Sequence, residues 1–157
     1  AGRRIGGGRI AGDERTKPDL LFFTEHYCAV ADSLGVCKFS TVETYPLHPG
    51  DFIGALKALG VDMDERELLT VGERIVNLER MYNVRLGLTT ADDHLPARFT
   101  EEPLQVQHGD KVTEHIVEDM GAMLAKYYEL RGWDERGVPT TEKLRELGIV
   151  HITGGVA

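Results

Sequence analysis

Apolar positions recur at near-helical spacing through most of the chain. Leu20, Leu21, Phe23, Tyr27, Ala31 and Leu34 form the first stripe, and Pro18 suits the opening turn of its helix. Cys28 lies on or beside that stripe, as a core residue would. Thr41 to His48 is rich in β-branched and aromatic residues and reads as an extended connector. A short helix then begins at Pro49 or Gly50, carries Phe52, Ile53, Leu56 and Leu59 on one face, and stops at Gly60. Asp62-Met63-Asp64-Glu65 has the form of a capping box. The longest helix follows, over about Asp64 to Tyr82, with Leu68, Val71, Ile75, Leu78, Met81 and Tyr82 as its stripe. Thr89 to Phe99 reads as a polar loop in which Asp92-Asp93 caps a short turn, and residues 100–112 read as polar and irregular. Thr113 to Arg131 is predicted as the last long helix, on Ile116, Val117, Met120, Leu124, Tyr127 and Tyr128. Gly132-Trp133 breaks it. A short helix from Pro139-Thr140-Thr141-Glu142 to Leu147 closes the series at Gly148. The pattern predicts an all-α, multihelical domain of about five helices with irregular connecting loops and no sheet. It divides the chain into a flexible lead-in over 1–17, a helical domain over 18–148 and an apolar tail over 149–157.

Composition narrows the class. The 157 residues include 41% hydrophobic ones, enough for a proper core. With 18 basic and 26 acidic residues the net charge is −8, which argues against nucleic acid as a partner. No apolar run is long enough for a membrane span. The start, Ala1 to Arg9, lacks both the apolar segment of a signal peptide and an initiator Met. A piece of a longer, cytoplasmic protein is therefore expected. Gly6-Gly7-Gly8 follows no strand and opens no helix, so it reads as linker rather than a phosphate cradle.

Candidate chemistry is sparse. Asp32-Ser33-Leu34-Gly35-Val36-Cys37-Lys38-Phe39 puts a carboxylate, a glycine and a thiol within six residues, where the first helix must end. A glycine at a helix end permits a left-handed turn and close backbone approach. Such a turn can present a thiol to a cluster or cofactor edge, and it can equally well end a buried helix. His115, Glu118 and Asp119 have i, i+3, i+4 spacing, but a helical metal bundle needs several such sets, and a charged outer face is the better reading. Arg74 and Asn77 lie near the stripe of the longest helix, placed to reach a cofactor phosphate or a partner domain, or else to bond local backbone and acids. Two cysteines make neither a disulfide framework nor an iron–sulfur cubane, which takes four thiolates.

Four segments in order change the picture: Asp32 to Phe39, Gly72 to Arg85, Asp92-Asp93-His94-Leu95-Pro96-Ala97-Arg98-Phe99, and Tyr127 to Asp134. Together they closely resemble the C-terminal part of the tungsten-containing aldehyde ferredoxin oxidoreductases, over about Leu20 to Leu147. The resemblance implies an enzyme that oxidises aldehydes to carboxylic acids with ferredoxin as acceptor. It implies a tungstopterin (tungsten or molybdenum held by two pterins) and a [4Fe-4S] cluster. It makes Cys37 the fourth cluster ligand and Asp32 a hydrogen-bonding partner of a pterin ring. The backbone about Gly35 and Val36 would line that pterin, with Val36 standing where the family usually has leucine. The remaining ligands would come from N-terminal domains of the parent chain, so this piece should bind no cofactor and be inactive alone. Its mating face, around Asp32 to Phe39, should be apolar and partly exposed, which leaves a homo-oligomer open. The competing expectation is a stand-alone helical interaction module without redox chemistry.

Overall fold

The computed structural model describes residues 14–41 and 47–153. The lead-in glycines and most of the connector expected over Thr41 to His48 lie outside the described residues. Seven α-helices occur among the described residues: α1 (Lys17–Ser33), α2 (Pro49–Ala58), α3 (Glu65–Arg85), α4 (Arg98–Glu101), α5 (Met120–Arg131), α6 (Thr141–Glu146) and α7 (Val150–Thr153). Single 3-10 turns span Glu14–Thr16, Lys38–Ser40 and Thr90–Asp92. The architecture is the expected multihelical one. No helix of the described residues is long and apolar enough to cross a membrane.

One element departs from expectation. Residues expected as irregular chain and as the start of the last long helix form an antiparallel hairpin, β1 (Leu104–His108) with β2 (Lys111–His115), in register Leu104↔His115 through His108↔Lys111. The two-residue turn needs positive φ at its first central position, and Gly109 supplies it with φ 62°. The sequence alternates Leu104-Gln105-Val106-Gln107, a strand period. The last long helix therefore starts at Met120, where the Asp119 side chain accepts from the Ala122 N–H at 2.8 Å.

The cap of α3 is also displaced. Asp64, not Asp62, is the N-cap: its carboxylate accepts from the Glu67 N–H, and Glu67 accepts from the Asp64 N–H, both at 2.8 Å. Asp64 with Glu67 has the same three-residue spacing as Asp62 with Glu65, so the motif alone fits either register.

α1 packs against α3 and α5 at the centre of the domain. Tyr27, Val30 and Ala31 of α1, Phe52 of α2 and Leu68 of α3 form one core, with Val36, Leu47, Ile53, Leu56 and Met63 against it. Met81, Val138, Leu144, Leu147 and Ile149 form a second. Ile149, at the start of the apolar tail, is buried there.

Between the two cores the α3 surface that faces inward is partly polar. Gly72, Asn77 and Arg80 are buried beside Leu68 and Met81, while Leu78 and Tyr82 of the expected stripe are exposed. The reason is aromatic and ionic. The Trp133 Nε1–H donates to Asn77 Oδ1 at 2.8 Å, and Asn77 Nδ2 donates to the Glu73 carbonyl at 2.9 Å. Each buried polar atom thus finds a partner, which removes the usual cost of burying it. Arg74 donates through Nε to the Leu147 carbonyl at 2.8 Å, tying α3 to the end of α6.

Candidate functional site

The segment Asp32 to Phe39 sits where α1 ends. The Leu34 N–H donates to the Val30 carbonyl at 3.0 Å, and the Val36 N–H reaches back to the Ala31 carbonyl at 2.9 Å. Gly35 closes this turn at φ +69°, with nothing within 4 Å of the position a Cβ would take. A side chain there would meet open space but a strained backbone. Cys37 then caps the 3-10 turn Lys38–Ser40 in extended conformation, and it is exposed and forms no disulfide. Asp32 is exposed on the same helix end, with its carboxylate 2.9 Å from the Lys38 ammonium. Leu34 and Phe39 flank the segment, 40% and 64% exposed.

Asp32, Gly35 and Cys37 are thus three neighbours around one turn, all open to solvent. Val36 differs. Its side chain packs against the Tyr27 and Phe52 core, so what it offers outward is backbone. The chemistry of this set fits a share of a cluster and cofactor site: one accessible thiol, one accessible carboxylate acceptor and a backbone free of side-chain bulk. It fits only a share, because the other cysteine, Cys28, is half-buried within α1.

The helical metal set does not form. His115 ends β2, where its ring nitrogen lies 3.0 Å from the Thr113 hydroxyl, and Asp119 is the α5 N-cap. The Glu118 and Asp119 N–H groups donate to the Glu14 carboxylate at 2.8 and 3.2 Å. The i, i+3, i+4 spacing needs a helix over 115–119, and the chain there is strand and loop. Among the described residues no group of three or more His, Cys, Asp or Glu is placed to hold a metal ion.

A second concavity lies elsewhere. An open cleft of about 1570 Å³ runs between α1, α3, α5 and the hairpin, and none of Asp32, Gly35, Val36 or Cys37 lines it. Two matched ionic clusters border it. Arg80 donates from Nη1 and Nη2 to Asp93 at 2.8 and 2.5 Å, donates from Nε to the Gly137 carbonyl at 2.7 Å, and lies 4.7 Å over the Trp133 ring. The Tyr128 hydroxyl donates to the same Asp93 at 2.5 Å. Arg131, fully buried, donates to Glu25, to His26 Nε2 and to the Tyr127 hydroxyl, with Phe22 and Tyr127 rings on its faces. Asp93 is therefore an ion-pair partner and not the solvated cap expected from Asp92-Asp93, while Asp92 does cap its turn by accepting from the Thr89 N–H.

These contacts move proton affinities. Burial favours the protonated Asp93 carboxyl, but hydrogen bonds from Arg80 and Tyr128 outweigh it and hold its pKa below the usual value. Burial and the bond to Asp93 push the Tyr128 phenol up to about 12. Burial first, then the Arg131 and Lys143 charges, press His26 down to about 3, so it is neutral. Periodicity misses these residues because they are buried without being apolar. The available signal was Arg80, spaced three residues after Asn77 on the inward face of α3.

Comparison with known proteins follows the same lines. Residues 8–149 match the family described as aldehyde ferredoxin oxidoreductase, domains 2 and 3. The chain belongs to the aldehyde ferredoxin oxidoreductase family. It is 42% identical over 139 residues to the tungsten-containing aldehyde ferredoxin oxidoreductase of Pyrococcus furiosus, a match that covers 87% of this chain and 22% of that protein. The corresponding protein of Thermococcus kodakarensis is 40% identical over 139 residues, with the same coverage of both chains. A protein named aliphatic sulfonate oxidoreductase, WOR-like subunit, from Pyrococcus furiosus is 33% identical over 131 residues, covering 77% of this chain and 20% of that one. In fold, the chain is similar to the active-site complex BamBC of benzoyl coenzyme A reductase in complex with 1,5-dienoyl-CoA. The TM-score is 0.70 at 23% identity, over 98% of this chain and 22% of that one. The chain thus spans about a fifth of the length of the relatives it matches.

Proposed function

We propose that this chain supplies one wall of a tungstopterin and iron–sulfur centre in a larger oxidoreductase that converts aldehydes to carboxylic acids and passes the electrons to ferredoxin. The observation that carries the reading is the turn at the end of α1, which presents the Cys37 thiol and the Asp32 carboxylate to solvent around Gly35. Cys37 would be one of four thiolates on a [4Fe-4S] cluster, the other three coming from the part of the protein beyond this chain. Asp32 would accept hydrogen bonds from the N–H groups of a pterin edge, and the Gly35–Val36 backbone would lie against its face. When bound, the metal–pterin centre supplies the two-electron oxidation and the cluster relays the electrons one at a time.

The residues of this chain do the positioning. α1 is held by the Tyr27, Phe52 and Leu68 core, so its C-terminal turn is a firm platform. Val36, packed into that core, anchors the turn from below and leaves Gly35 and Cys37 free above it. The protein's part in such chemistry is to orient the cofactor and to tune it through its near neighbours. Tungsten rather than molybdenum is the expected metal, in keeping with the tungsten-containing relatives.

The test is turnover by the full-length protein purified without oxygen. Aldehyde-dependent reduction of ferredoxin, or of a viologen dye in its place, is the expected result, with the 157-residue chain alone inactive. A full-length protein that holds metal yet reduces neither acceptor with any aldehyde, while turning over another substrate class, would replace the aldehyde assignment.

A further inference from the structure

We propose that Lys38 is a positioning residue for the cofactor-facing carboxylate, holding Asp32 in place across the turn that carries Cys37. The inference rests on the reading of Asp32 and Cys37 as cofactor ligands and adds a residue to it.

Asp32 lies in the last turn of α1, at the negative end of the helix, where a carboxylate is unfavourably placed. That last turn contains no basic residue of its own. The missing cation comes from beyond the turn. Lys38 Nζ lies 2.9 Å from Asp32 Oδ2. The chain between them is reversed by the Gly35 turn, so the ion pair closes a short loop containing Ser33, Leu34, Gly35, Val36 and Cys37. Both ends of the loop are anchored. Ala31, just before Asp32, is wholly buried and accepts the Val36 N–H. Thr41, just after the Lys38 turn, is 1% exposed, and both its N–H and its hydroxyl donate to the Lys38 carbonyl at 3.0 Å.

As an exposed pair, Lys38 with Asp32 adds little to stability. Its effect is on orientation. The ammonium engages one carboxylate oxygen and so restricts which way the second oxygen points. Removing a side chain that orients a metal's own ligand commonly costs about 10–100-fold in metal affinity. Asp32 would touch the pterin and not the metal, so the effect of Lys38 belongs at the low end of that range.

The experiment uses the full-length protein, with Lys38→Met, Lys38→Arg and Asp32→Asn beside wild type. Tungsten and iron retained per chain after anaerobic dialysis are measured, and circular dichroism selects variants with wild-type fold. The expected result is about a tenfold drop in retained tungsten for Lys38→Met and for Asp32→Asn, with Lys38→Arg near wild type because the charge is kept. Retention unchanged in Lys38→Met but lost in Asp32→Asn would overturn the role of Lys38 and leave the Asp32 assignment intact. Retention unchanged in both would remove the Asp32 assignment and the inference with it. Equal loss in Lys38→Met and Lys38→Arg would also overturn it, since a charge-borne role requires rescue by arginine.

Discussion

Gly72 of α3 meets His26 of α1 backbone to backbone: a Cβ at Gly72 would lie 2.2 Å from the His26 carbonyl oxygen. Two helices approach this closely only where one of them has no side chain. The contact sets how far α1 sits from α3, and hence where the C-terminal turn of α1 is held. Gly72→Ala must push the helices apart or bend one of them. It is expected to cost at least ~1–3 kcal/mol, the usual range for an overpacked core. Urea denaturation checks this, and an unchanged midpoint would mean that the helices are not in fixed contact.

A second expectation concerns Trp133. Its indole N–H is buried and donates to Asn77. Asn77→Ala leaves that donor without its acceptor and opens a small void, for a loss of ~1–3 kcal/mol. Asn77→Asp keeps an acceptor there but buries a charge, so it should be no better. Trp133 fluorescence during denaturant unfolding reports both variants, and stability within error of wild type for Asn77→Ala would contradict the account.

The third follows from His26. Its folded pKa, about 3, lies below the usual value of 6.5, so between those values the unfolded chain binds a proton that the folded chain does not. Stability is therefore fully present above about pH 6.5 and declines as pH falls toward 3, by up to ~1.4 kcal/mol per pH unit. Asp93, with its lowered pKa, adds a further loss at the acid end of the window. His26→Gln should flatten the decline between pH 6.5 and 4, as read from melting temperature across that range. A variant whose melting temperature falls with pH as steeply as wild type would show that His26 is not buried neutral.

Much of this was legible in the residues. The stop of α1 within Asp32 to Phe39, the stop of α2 by Gly60 and the break at Gly132-Trp133 follow from apolar period interrupted by glycine, and the structure ends these helices at Ser33, Ala58 and Arg131. The turn of Asp32 to Cys37 was legible because its three exposed groups lie within six residues of sequence. What stayed hidden was hidden for two physical reasons. The Leu104 to His115 hairpin leaves Leu104 and Val112 largely exposed, so it gives no burial pattern. Its strand alternation also runs into Ile116, Met120 and Leu124, which mimic a helical stripe. The Arg80–Asp93 and Arg131–Glu25 pairs were hidden because their partners lie 13 and 106 residues apart and no apolar count registers a buried charge. Asn77 and Trp133, 56 residues apart, belong to the same class.

If Cys37 is a cluster ligand, the iron content of the protein depends on its thiol. Iron, tungsten and molybdenum per chain should be determined in the full-length protein, purified without oxygen, as wild type and as Cys37→Ala. Wild type should hold about four irons and tungsten, with the iron lost or clearly reduced in the variant. Iron content unaffected by Cys37→Ala would leave the family fold standing and contradict the site assigned at the end of α1.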